Sequence, residues 1–231
     1  IELGDFDLLA VGPVVPQVSE QFDLYWNHQY AVPVAELVDK KVNDQQLNKA
    51  RRQFMASVAE LEERDYVARL KQSTVLSDIE QGTLEWFSGP ARAVYDLPTK
   101  MDQTASVEQS FMVQQMSGVW DGLEHQVLFV SPYFVPTKAG VDRLLAMVDH
   151  GVDVTVVTNS LAATDVVAVH SGYQKHRKAL LAGGVKLYES KVNPSHKPTA
   201  WKGSSRASLH AKAFVLDKRK VYVGSFNIDP R

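Results

Sequence analysis

The residues best suited to chemistry lie in one stretch near the C-terminal end, Ser208-Leu-His-Ala-Lys-Ala-Phe-Val-Leu-Asp217. It is apolar between Gly203 and a polar Lys218-Arg219 turn, and so reads as a β-strand. Side chains alternate faces along a strand. His210 and Lys212 are therefore expected on one face, with Leu209, Ala211, Ala213 and Val215 packed on the other. An imidazole beside an ammonium outlines a phosphate site: lysine holds the anion, and histidine attacks phosphorus or shuttles a proton. A second strand, Lys220-Val-Tyr-Val-Gly-Ser-Phe-Asn227, ends in Gly-Ser-x-Asn. Ser225 and Asn227 offer a hydroxyl and an amide at a strand end, where a phosphate oxygen can be bound. Asp217 stands an odd number of residues from His210, at the strand's end, and is better placed to fix local structure than to touch phosphate.

Elements that would position these residues begin at about residue 104. A helical pattern over 105–123 precedes a strand, Gln126–Ser131, and the loop Pro132–Pro136 at its C-terminal end. Residues 138–149 form an amphipathic helix with Val141, Leu144, Leu145 and Val148 inward. A strand over 153–158, a helix over 167–182 ended by Gly183-Gly184, and a strand over 185–188 follow. Residues 190–206 read as a polar loop before the two motif strands. Strands alternating with helices of this length predict an α/β fold: a parallel or mixed sheet flanked by helices on both faces, with the ligand at strand ends.

The first hundred residues carry less chemistry. Asp5–Val15 is apolar enough for a buried strand, broken at Gly12-Pro13. Residues 17–30 read as a helix with Val18, Phe22, Tyr25 and Trp26 on one face, and Pro33 marks a break. The longest helical stretch is 44–72, capped by Asn43 or Asp44. Its charged side mixes signs, as a solvated face does, which favours a packed helix over a membrane-surface one. Residues 82–103 are irregular, and Trp86 and Phe87 there line a groove or pack under the loop.

Composition sets broad limits. The 231 residues are 45% hydrophobic and 23% charged, with 25 basic and 27 acidic side chains and a net charge of −2. That suits a globular protein with a sizeable core and gives no global attraction to nucleic acid. There are no cysteines, hence no disulfides. No apolar run approaches the roughly 18 residues of a membrane span. The chain starts at Ile1 rather than Met, and is expected to be a fragment of a longer protein.

His210, Lys212 and Asp217, with Gly224, Ser225 and Asn227, match His-x-Lys-x-x-x-x-Asp followed by Gly-Ser-x-Asn. The chain in this respect resembles the phospholipase D superfamily. Ser131-Pro-Tyr-Phe-Val-Pro136, Thr158-Asn-Ser160, Val169-His-Ser-Gly-Tyr173 and Asn227-Ile-Asp-Pro-Arg231 narrow the resemblance to bacterial cardiolipin synthases of the C type, as does the opening Leu8–Val15. Such enzymes have two lobes, each with one motif, and a site between them. The resemblance then implies that residues 1–34 are the tail of a first lobe, 35–103 an inter-lobe helical segment, and 104–231 a second lobe, nearly complete.

By the same likeness, the intact protein transfers a phosphatidyl group between phospholipids, phosphatidylglycerol and a second one, through a phosphohistidine. No metal or other cofactor is implied. Its partners would be the membrane surface and the first lobe in cis, not nucleic acid, and its place the bacterial inner membrane, held peripherally. His210, Lys212 and Asp217 would be the catalytic motif, with His210 as general acid/base where the first-motif histidine is the nucleophile. Ser225, Asn227 and Tyr133 would hold phosphate or substrate; Tyr133 and Phe134 equally suit core packing, and His170 a structural role. An acidic residue that orients the motif histidine is expected beyond Arg231. The alternatives are a phosphodiesterase or nuclease of the same superfamily, and a non-catalytic fragment.

Overall fold

The computed structural model describes residues 3–38, 43–62, 71–102, 111–191 and 208–229. Two compact units divide the chain: residues 16–93 form one, and residues 1–15 with 94–231 the other.

The 16–93 unit is helical. The helix α1 (Val14–Trp26) runs into it and stacks Phe22 on Trp26 at 5.6 Å, as the i, i+4 spacing allows. Pro33 directly precedes the short α2 (Val34–Leu37). The helix α3 (Asp44–Glu62) opens on a reciprocal capping pair. Gln46 N–H donates to Asn43 Oδ1 at 2.9 Å, and Asn43 N–H donates to Gln46 Oε1 at 3.1 Å. The expected continuation of this helix over 63–70 lies outside the described residues. The helix α4 (Val75–Gln81) ends at Gly82 in the left-handed region. Phe87 beyond it is 87% exposed, so it is not packed under the loop.

In the larger unit, α5 (Phe111–Met116) and a 3₁₀ turn to Trp120 lead into the sheet. The order is then β2 (Gln126–Val130), α6 (Lys138–Asp149), β3 (Asp153–Asn159), α7 (Val167–Ala182) and β4 (Lys186–Ser190), closed by β6 (Lys212–Leu216) and β7 (Lys220–Gly224). The helices α6 and α7 have the bounds that the spacing of their apolar residues predicts. Thr137 Oγ1 accepts from Gly140 N–H to cap α6, and Gly184, with φ of 88°, turns the chain after α7.

Five strands form one mixed sheet in the order β4-β3-β2-β6-β7. The pairs β2–β3 and β3–β4 are parallel, whereas β2–β6 and β6–β7 are antiparallel. This is the expected α/β mixed-sheet class, but the two crossover helices lie on one face of the sheet and not on both as expected. Successive crossovers in one direction bring α6 and α7 to the same side of the sheet, as right-handed connections require. On that side Val127, Phe129, Val154, Val156, Phe214 and Leu216 form the core with Tyr173 and Leu180.

Two expectations are corrected. The segment 5–11 is not a buried strand: only β1 (Leu3–Gly4) is paired, and Phe6, Leu8, Leu9 and Val11 are exposed. Apolar character alone does not make a strand; a ladder partner and cover are needed, and none is described for these residues. Nor is 208–217 one strand. Ser208–Leu209 forms a separate β5, parallel to β1, and the ladder breaks at His210–Ala211. Both N–H groups there donate to one acceptor, the Gly4 carbonyl, at 2.8 and 3.1 Å. In β6 the buried side chains are Lys212, Phe214 and Leu216, while Ala213 and Val215 are half-buried. The packed face is the reverse of the expected one because the bulkier Phe214 and Leu216 go under the helices.

Candidate active site

The site is assembled where β5, β6 and the end of β7 meet the loop after β2. The side chain of Asn159, last residue of β3 and 3% exposed, continues the sheet where the backbone ladder stops. Its Nδ2 donates to Leu209 O at 2.9 Å, and its Oδ1 accepts from Leu209 N–H at 3.0 Å and from Ser190 Oγ at 3.0 Å. One amide thus satisfies both polar groups of the residue before His210, as a neighbouring strand would.

His210 is exposed, and its Nδ1 lies 2.7 Å from Asp5 Oδ2. The hydrogen bond from His210 holds the Asp5 carboxyl below the usual carboxylate range, aided by the Phe6 N–H and the charge of Lys212. An ionised carboxylate only accepts, so the proton of a neutral His210 ring sits on Nδ1 and Nε2 is left as the reactive nitrogen. Lys212 is buried, and burial lowers its pKa while Asp5 and Asp165 act to raise it. Its Nζ donates to the His210 carbonyl at 2.6 Å. The structure thus brings His210 and Lys212 together around Asp5, although they do not share one regular strand.

Gly224 pairs with Lys212 across the β6–β7 ladder, so Ser225 and Asn227 emerge beside the lysine strand. Gly224 has room for no side chain: a Cβ would lie 2.5 Å from the Tyr222 hydroxyl, and that ring is stacked on Phe214 at 4.6 Å. Ser225 is exposed. Asn227 Oδ1 is buried without a hydrogen-bond partner among the described residues. Ile228 is anchored by its carbonyl, which accepts from Val135 N–H at 2.7 Å, and this ties the Gly-Ser-x-Asn loop to the loop after β2. In that loop the Tyr133 hydroxyl donates to the Asp165 carboxylate at 2.9 Å. Tyr133 is therefore linked to the site through the carboxylate that Lys212 also feels. Phe134, 1% exposed, packs in the core against Tyr173 at 5.8 Å.

Asp217 lies at the far end of β6. Its carboxylate accepts from the N–H groups of Gln126, Glu124 and His125 at 2.8 to 2.9 Å. These bonds, Gln126 first, pull its pKa down to about 2. It pins the start of β2 and does not face His210. His170 is 5% exposed, edge-on to Tyr173 at 5.5 Å. The Tyr173 hydroxyl and Arg177 both donate to Glu189.

Asp5 and Asn159 are the site residues that the motif does not reveal. Asp5 is 205 positions from His210, and no local spacing links them. The carboxylate that pairs with His210 here comes from near the other end of the given sequence. Asn159 had a visible signal, a polar residue closing an apolar strand.

A family model for the cardiolipin synthase, phospholipase D-like domain matches residues 123–231. Cardiolipin synthase C of Escherichia coli is 36% identical over 240 residues, which span 99% of this chain and 48% of that protein. An uncharacterized protein of Helicobacter pylori is 26% identical over 230 residues, 98% of this chain and 44% of the relative. Cardiolipin synthase A of Pectobacterium carotovorum is 28% identical over 106 residues, 46% of this chain and 18% of the relative. The chain spans about half the length of the first two of these relatives.

Proposed function

The chain belongs to the phospholipase D superfamily as a cardiolipin-synthase-like protein, and on that footing we propose that it is part of a phosphatidyltransferase acting between two phospholipids. The observation that carries this reading is the cluster Asp5–His210–Lys212. It offers a free imidazole nitrogen beside a buried ammonium, with the Asn227 amide next to the same strand. Rotation of that amide by half a turn presents a donor where the acceptor now lies unpaired.

In the proposed cycle one histidine attacks phosphorus. A P–N bond forms, and the P–O bond to the leaving alcohol breaks. A second histidine gives that oxygen its proton. The same histidine then takes the proton of the incoming alcohol, whose oxygen displaces the phosphohistidine nitrogen. Lys212 and Asn227 stabilise the negative charge that grows on the non-bridging oxygens. Two histidines are needed, and the sequence carries the motif once, at His210. We assign His210 the acid/base role and place the nucleophile on a first lobe. Residues 1–34 would be the tail of that lobe, 35–103 the inter-lobe segment and 104–231 the second lobe. This chain alone would then be inactive. The substrates are phosphatidylglycerol and a second phospholipid at the inner membrane of a bacterium, met from its surface. No helix among the described residues is long and apolar enough to cross a membrane.

The test is His210→Asn in the full-length protein. General acid/base catalysis contributes about 100- to 10,000-fold, so lipid transfer falls by at least that lower figure. A phosphohistidine still accumulates slowly on the other histidine with a substrate bearing a good leaving group, and is trapped by acid quench and mass spectrometry. Its absence would make His210 the nucleophile. Normal transfer by the variant would overturn the reading, and hydrolysis without transfer in the unsubstituted protein would move it to a phosphodiesterase.

A further inference from the structure

We propose that a pocket behind the Gly-Ser-x-Asn loop takes one acyl chain of the phospholipid whose phosphate lies at Lys212; the assignment rests on the phosphate-site reading above. The pocket holds about 220 Å³ and opens between α6 and the sheet. Its walls are apolar. Trp120 stacks against Phe214 at 5.1 Å and lies 5.8 Å from Phe129, and Met116 and Met147 fill the sides. Methionine and aromatic walls adapt to a flexible apolar guest.

The pocket shares its frame with the candidate site. Phe226 and Ile228 both line it, and Asn227 stands between them. Ala213, next to Lys212, lines it too. One loop thus gives its amide to the phosphate side and its apolar side chains to the pocket. Along α6, Gly140, Arg143, Leu144 and Met147 present one face to it at spacings of three and four. Arg143 is exposed at the rim, a cation where an anionic headgroup would lie. The volume exceeds the roughly 150 Å³ of an apolar cavity that binds benzene. It falls short of the roughly 300–1,000 Å³ of a drug-sized ligand site. Those limits suit a segment of unbranched chain, and a covalent tether to the phosphate explains why it opens beside that site. Close-packed interiors do not keep voids of this size without cost.

The experiment measures calorimetric binding of dibutyryl-, dihexanoyl- and dioctanoyl-phosphatidylglycerol as soluble monomers to the full-length His210→Asn protein, in which turnover is slowed at least about 100-fold. Each methylene taken from water contributes roughly fourfold in affinity. Affinity should therefore rise at least tenfold from the shortest to the longest lipid. Gly140→Leu and Met147→Trp fill the pocket from two positions. Each should flatten that rise and leave dibutyryl binding unchanged. Equal affinity for the three lipids, or a rise untouched by either filling, overturns the pocket. Should one variant lose its circular dichroism spectrum, the other decides. A dioctanoyl lipid with a terminal diazirine gives a further arm: crosslinks should fall within residues 111–149 or 213–228, and labelling elsewhere overturns the proposal. Lys212→Ala separates the two readings. It should weaken all three lipids in parallel; no change there, with the chain-length rise intact, sinks the phosphate site and not the pocket.

Discussion

His210 and Lys212 are held by opposite means. The lysine is buried, fixed by packing and by its bond to the His210 carbonyl, so little reorganisation remains when an anion arrives. The histidine is exposed, and its ring is hydrogen-bonded to the Asp5 carboxylate. Asp5→Asn in the full-length protein should therefore lower kcat by at least about tenfold with little change in KM, since Lys212 and Asn227, the groups proposed to hold the phosphate, are untouched; an orienting carboxylate elsewhere has been worth far more. The signature that a merely structural role would not give is the tautomer. The imidazole ¹⁵N spectrum should show His210 protonated on Nδ1 in the parent and a loss of that preference in Asp5→Asn. Because the Asp5 pKa is lowered in the fold, the pairing is complete above the ordinary carboxylate range and is lost only as pH falls through the lowered value. An unchanged kcat would show that Asp5 does not position the ring.

At the scale of elements, the β6–β7 hairpin carries the motif and Asp217 locks it. Asp217 and Lys218 both take positive φ, 50° and 55°, which matches the twist of a tight hairpin but strains residues with a Cβ. Three N–H bonds to the Asp217 carboxylate offset that strain and fasten the turn to the start of β2. Asp217→Asn should lower the melting temperature while retaining any binding of phosphate at Lys212. The sign follows from the depressed pKa. The advantage of aspartate is full above about pH 4, the unfolded value, and disappears as pH falls towards about 2. Melting curves of the two proteins that stay parallel from pH 7 to pH 2 would refute this. A stabilising place for Asp217 was legible from its odd separation from His210. So were α6 and α7, since the apolar spacing of α6 and the Gly183-Gly184 end of α7 are local signals. The break at His210–Ala211 was not, because it is imposed by Gly4, about two hundred residues away in sequence. The buried side of β6 was misread for a related reason. Alternation says which residues share a face, and only the helices above decide which face is covered.

Across the larger unit as a whole, the sheet keeps one side under helices and leaves the other partly open. The register makes that second side continuous. Tyr188, Val157, Val130, Ala213 and Val223 line up across all five strands, and Leu128, Val215 and Val221 form a neighbouring row. Tyr188 and Val221, on the two outer strands, are 57% and 60% exposed, and the residues between them are half-buried. Extended apolar faces of this kind mark interaction surfaces or aggregation liabilities. That this face is continuous follows only from the strand register, which composition does not encode. The 231-residue chain by itself should therefore self-associate, with a light-scattering mass that grows with concentration. Tyr188→Lys with Val221→Lys places two charges on exposed positions of outer strands, where folding tolerates them. That double variant should keep the circular dichroism of the parent and shift it towards monomer. A parent chain that stays monomeric at high concentration, or a double variant that associates as strongly as the parent, would show that this face is not the adhesive one.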